Sequence, residues 1–156
     1  MDAVIRQHPL LTTATALYLA VVGWVTLGPQ PTGLVRAAGV WQLLGFVREH
    51  PSLSWITYAL IEFSANVAMF LPVGVLLLLL MGRRGWWAAI LTGFVLSVAI
   101  EAAQLFLPGR VSDIRDLVAN SLGTALGVLL ALVITLPAAL RRRRASRPRT
   151  GEVRLA

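Results

Sequence analysis

Apolar residues fill four long stretches of the chain, and polar residues gather in the gaps between them. The first stretch covers residues 10–28, opened by Pro9 and closed by Gly28-Pro29. The second covers about 63–81, the third 86–107, closed by Pro108-Gly109, and the fourth about 117–140. A bilayer core of about 30 Å takes about 20 helical residues, so each stretch predicts a transmembrane helix. The first is too long for the apolar part of a signal peptide and lacks a small-residue cleavage site, so it reads as a span. Pro72 falls midway along the second stretch and removes a backbone hydrogen bond, which predicts a kink. Residues 34–49 alternate apolar and polar positions as an amphipathic helix does, with Trp41 and Phe46 as interfacial anchors. Residues 54–61 are apolar and extend the second helix. A helix over 54–81 would be about 42 Å long, longer than the bilayer core, so it requires an overhang, a tilt or a break near Glu62.

The expected fold class is therefore an all-α membrane protein with four transmembrane helices and an interfacial helix between the first and second. The four-helix domain is placed at 10–140. Residues 141–156 are expected to form a disordered basic tail. Composition agrees: 57% of the 156 residues are hydrophobic and the mean hydropathy is +0.76. There is no Cys, hence no disulfide framework.

Charge adds a direction. All 14 basic residues are Arg, and seven of them fall after residue 140, beginning with Arg141-Arg142-Arg143-Arg144. Such a tail beside a span meets anionic lipid and fixes topology, so the net charge of +7 is not read as a nucleic-acid signal. With both termini cytoplasmic, ten arginines lie inside and four (Arg36, Arg48, Arg110, Arg115) lie outside. That is the usual positive-inside bias, and the expected location is the cell membrane.

The acids run the other way. Glu49, Glu62, Glu101, Asp113 and Asp116 fall on the outer side of this arrangement. Glu101 is 17 residues past Arg84, or about 25 Å along a helix, which places it just below the outer boundary. Gln104 lies one turn further out. Asn66 and Asn120 lie about one turn inside the outer ends of the second and fourth spans. Polar groups in a span are costly when they face lipid, so these residues should face one another or a wet cavity.

Plainer readings stand beside the functional one. Asn66 and Asn120 fit interhelical hydrogen bonds. Asp113 and Asp116 have the spacing of a helix cap and a capping residue three later. Arg110 and Arg115 fit headgroup anchors. Ala119, Gly123, Gly127 and Ala131 form a small-residue stripe for close packing against another span or a second copy. Glu62-Phe-Ser-Ala-Asn66 also echoes Asp116-Leu-Val-Ala-Asn120, and Gly-Val-Leu-Leu follows each, from Gly74 and from Gly127. This echo predicts a parallel repeat of helix hairpins about an axis along the membrane normal.

Three elements resemble the VanZ-like family of small membrane proteins. Thr26-Leu27-Gly28-Pro29 closes the first span. Asn66, Phe70, Pro72 and Gly74 are similar to the family's N-x-x-x-F-x-P-x-G. Glu101 and Gln104, followed by Arg110, Asp113, Asp116, Asn120, Gly123 and Gly127, are similar to its E-x-x-Q…R-x-x-D-x-x-D-x-x-x-N-x-x-G-x-x-x-G. The resemblance spans roughly residues 10–135. It implies a multi-pass bacterial protein from a family named for a teicoplanin-resistance protein, and it supplies no mechanism.

The first reading is a non-enzymatic envelope protein. Its candidate polar cluster (Asn66, Glu101, Gln104, Arg110, Asp113, Asp116, Asn120) would bind a lipid headgroup, a lipid-linked cell-wall intermediate or a lipoglycopeptide, contributing to glycopeptide tolerance. Arg110 would take phosphate, and the acids cationic or hydroxyl groups. Pro72, Gly74, Gly123 and Gly127 serve packing. The alternatives are a hydrolase or transferase using Glu101, Asp113 and Asp116 on a lipid-linked substrate, with the acids able to hold a divalent cation, and a small transporter subunit using Glu101. No nucleophile motif, His cluster or phosphate loop supports catalysis. His50 has no partner nearby in sequence and reads as an exposed loop residue. No cofactor, metal or nucleic acid is expected, and a homo-oligomer is a further expectation.

Overall fold

A computed structural model of the chain describes residues 9–28, 45–46, 49–50, 56–108 and 113–145, with side chains described up to 137. Four helices, each long and apolar enough to cross a membrane, make up most of it: α1 (Pro9–Leu27), α2 (Tyr58–Met81), α3 (Trp86–Gln104) and α4 (Ile114–Ala145). Among the described residues there is no strand. The predicted interfacial segment 34–49 lies almost wholly outside the described residues.

Each helix end has a local cause. Thr57 is extended and its hydroxyl accepts from the Leu60 amide, which starts α2 at Tyr58. The helix then runs without a break past Glu62, which is exposed, and on through Pro72. Its 24 residues are about 36 Å long without an interruption, which leaves an overhang or a tilt for the excess length. The Tyr18 hydroxyl donates to the Met69 carbonyl at 2.8 Å, in the turn that Pro72 leaves one hydrogen bond short. Gly82 ends α2 with φ 74°, a left-handed conformation that favours glycine, and its N–H bonds the Leu78 carbonyl. A single 3₁₀ turn over Arg83–Gly85 leads into α3. α4 continues to Ala145, five residues past the expected end of the four-helix domain at residue 140.

α2 and α4 run side by side in the same direction and share the largest interface. α3 sits against both, and α1 packs on α2 and α3 but makes no comparable contact with α4. The α2–α4 contact is backbone on backbone. A Cβ on Gly74 would lie 2.9 Å from the Val128 nitrogen and closer still to the Thr124 carbonyl. A Cβ on Gly127 would lie 3.0 Å from the Val75 nitrogen and closer still to the Leu71 carbonyl. The two sets of atoms are related by a shift of 53 residues. The sequence echo thus has a structural counterpart at this contact, but α1 and α3 do not share it. Gly123 faces Val67 and Phe70 in the same seam. This stripe on α4 is therefore occupied within the chain. Phe70, Val73, Leu78 and Val128 fill the core beside it.

Gly127→Ala should place a methyl group on the Leu71 carbonyl. The cost expected of such overpacking is about 1–3 kcal/mol. Gly23→Ala meets nothing within 4 Å and should be neutral or stabilising by about 0.5–1 kcal/mol. Thermal unfolding of both variants in detergent checks this: equal melting temperatures would contradict the close α2–α4 seam.

Candidate functional site

The polar residues of the spans meet at one end of the bundle, where α1 and α3 finish and α2 and α4 begin. Asp113 starts α4. Its carbonyl accepts the Asp116 amide and its Oδ1 accepts the Arg115 amide at 2.9 Å, so it is the N-cap. The Asp113 amide in turn donates to Glu101 Oε2 at 3.1 Å. One residue thereby caps α4 and ties it to the last turn of α3. Glu101 is 8% exposed, an acid held within the bundle.

Asp116, in the first turn of α4, accepts from Asn66 Nδ2 of α2 at 2.7 Å. Glu62, Glu101 and Asp113 all lie within electrostatic reach of Asp116. Asn120 lies one turn deeper on α4 and donates from Nδ2 to Ser97 Oγ of α3 at 3.0 Å. Thr124 follows another turn down, fully buried, with its side chain against Gly93. Gln104 reaches α1, donating from Nε2 to the Thr26 carbonyl at 3.0 Å. That carbonyl belongs to the last turn of α1, where no helical amide remains to satisfy it.

Six of the seven residues in the expected cluster are thus brought to one end, and Arg110 lies outside the described residues. Asn66 and Asn120 each bond across a helix boundary. Arg115 is exposed. His50 is exposed too, but its Nδ1 lies 2.8 Å from the Phe46 carbonyl, and the two rings lie 4.3 Å apart. Among the described residues no three His, Asp or Glu side chains are arranged to hold a metal ion.

Sequence reasoning missed Ser97 and the Thr26 carbonyl. Ser97 had a usable signal. It stands four residues before Glu101 and continues a small-residue row with Ala89 and Gly93, all three buried on one face of α3. The carbonyl had none, because a backbone group leaves no mark in the residue pattern.

The cluster has a gradient of access. Glu62 and Asp113 are exposed, Asp116 and Asn66 are half-buried, and Asn120 is 2% exposed. Exposed Leu105, Phe106 and Ile114 flank the acids. Such a site offers mainly acceptors at its mouth and binds donors and positive charge better than anions.

Asn66→Ala should lower stability by about 0.6 kcal/mol, the average for such bonds in membranes. Its effect should be non-additive with Asp116→Ala. Ser97→Ala strands a buried amide and should cost more, about 1–3 kcal/mol. A double-mutant cycle read by thermal unfolding checks the pair. Strict additivity would mean that the Asn66–Asp116 bond carries no energy.

Comparison with curated proteins and with solved structures found no match. A family model does match. The VanZ/LLP1 model covers residues 15–135, which includes most of the first and fourth spans, all of the second and third, and the polar end. The four apolar helices and the interlocked acids and amides at their shared end therefore belong to a membrane protein of the VanZ/LLP1 family.

Proposed function

We propose that this chain is a non-enzymatic protein of the bacterial cell envelope, with its polar end open to the outer leaflet and both termini in the cytoplasm. The polar end binds the headgroup of a lipid, a lipid-linked cell-wall intermediate or a lipoglycopeptide, and so contributes to glycopeptide tolerance. One observation carries the reading. Side chains from three helices and the end of a fourth converge on one end of an otherwise apolar bundle, graded from exposed acids to buried amides. A purely structural set of bonds does not require an exposed acidic mouth bordered by lipid-facing apolar residues.

Orientation is supported by the arginines. Arg83 and Arg84 stand at the opposite end of the bundle, as does the stretch Arg141–Arg144, whereas the acidic end has few arginines. Trp86 and Trp87 are exposed at the arginine end, and Trp24, Tyr58 and Phe106 are exposed towards the acidic end, as two interfacial belts would be. Arg110 and Arg115 bracket Asp113 in sequence and take the phosphate side of a headgroup in this reading.

Two experiments test it. Single cysteines at Ser112 and Ser146 should differ: an impermeant thiol reagent added to intact cells labels the first and spares the second. The reverse pattern would sink the proposed orientation. In a strain whose glycopeptide susceptibility changes on deletion, Glu101→Gln should reproduce the deletion at normal membrane abundance. Wild-type tolerance from that variant would remove Glu101 from the site.

A further inference from the structure

Four donor groups at the polar end are committed to partners within the chain. Asn66 Nδ2 goes to Asp116, Asn120 Nδ2 to Ser97, Gln104 Nε2 to Thr26, and the Asp113 amide to Glu101. Acceptors remain. Asn120 Oδ1 and Gln104 Oε1 are buried and meet no donor among the described residues. Both side chains are more than nine-tenths buried, at 2% and 6% exposure. Asn120 lies one turn beneath Asp116 on the same face of α4. Its amide is turned to α3, where Glu101 stands one turn above its partner Ser97. Asn120, with its unmatched oxygen, thus sits one turn below Asp116, and its side chain tilts toward the start of α4, where the acids are. Above it, Glu62, Asp113 and Asp116 add negative charge, and two of these acids are exposed.

Surplus acceptors and negative charge specify the missing partner by chemistry. An anion is repelled, and a neutral hydroxyl answers one acceptor and leaves the charge. A primary ammonium brings three N–H donors and one positive charge in a compact group. We propose that the site takes the primary ammonium of a membrane lipid headgroup at Glu62 and Asp116, with Asn120 forming the floor. The inference rests on the headgroup-binding reading above and names the group that is recognised. A lipid is favoured over a soluble amine because exposed Leu105, Phe106 and Ile114 border the acids and would lie against acyl chains.

The test uses the full chain in nanodiscs of phosphatidylglycerol. Phosphatidylethanolamine, or its N-acetylated form, is added as a minor component. Retained lipid is counted by native mass spectrometry. The N-acetylated lipid keeps the phosphate and the acyl chains and turns the ammonium into a neutral amide with a single N–H. Phosphatidylethanolamine should be retained about tenfold over the N-acetylated lipid, the worth of one charge-assisted hydrogen bond. Glu62→Gln, at an exposed position, and Asp116→Asn, which keeps an oxygen for Asn66, should each erase that preference without lowering the melting temperature in phosphatidylglycerol alone. Free phosphoethanolamine at millimolar concentration should not displace the lipid; efficient displacement would overturn the lipid source. Equal retention of both added lipids above phosphatidylglycerol would overturn the ammonium inference and leave headgroup binding standing. Retention of neither would overturn both. A preference unaffected by Glu62→Gln and Asp116→Asn would place the ammonium elsewhere and overturn the assignment.

Discussion

Backbone contact between α2 and α4 sets the spacing on which the polar end depends. In lipid there is little hydrophobic gain from joining two apolar helices, so association rests on close packing and on hydrogen bonds. Gly74, Gly123 and Gly127 let the two backbones touch. Gly93 lets α3 follow against Thr124. Only at such short separations do side chains as short as Asn, Asp and Ser reach across. The bonds from Asn66 to Asp116 and from Asn120 to Ser97 are both of this kind. A wider bundle with the same polar residues would leave them facing one another across a gap.

The second dependence is local. Asp113 uses its side chain and its carbonyl to begin α4, and its amide to hold Glu101. The loop that connects α3 to α4 is therefore tied down at its last residue before the helix. This gives Glu101 a fixed position although it sits near a helix end, where fraying would otherwise move it.

Much of the fold was legible because the bilayer imposes a length that apolar runs must meet. The four spans follow from that rule, and their ends shift by only a few residues where a cap such as Thr57 decides the start. Of the overhang, tilt or break expected of the long second helix, the break near Glu62 does not occur, because an exposed acid near a helix start is tolerated. The membership of the polar end was also legible, since Glu101, Asn66 and Asn120 interrupt apolar runs at a cost. The pairing was not. Residue spacing places a side chain on one face of its own helix, but it does not fix how that helix is rotated against its neighbours. The bond from the Asp113 amide to Glu101 is of this kind, a backbone donor that residue spacing does not reveal. The α4 stripe was read as open to either another span or a second copy, and the matching glycine on α2 decides for the former at Gly123 and Gly127.

Arg83 gives the bundle an uneven stiffness. Its guanidinium bonds both the Leu132 carbonyl and the Thr135 hydroxyl of α4, at 2.5 and 2.6 Å. The short α2–α3 turn is thus riveted to α4, three elements fastened at one point. At the opposite end the same helices are held by separate side-chain bonds. Any force that spreads α3 from α4 about Arg83 acts with its longest lever on the tie between Glu101 and Asp113, beyond Asn120 and Ser97. The molecule is built like a peg, sprung at the arginine end, whose jaws are the acids and amides.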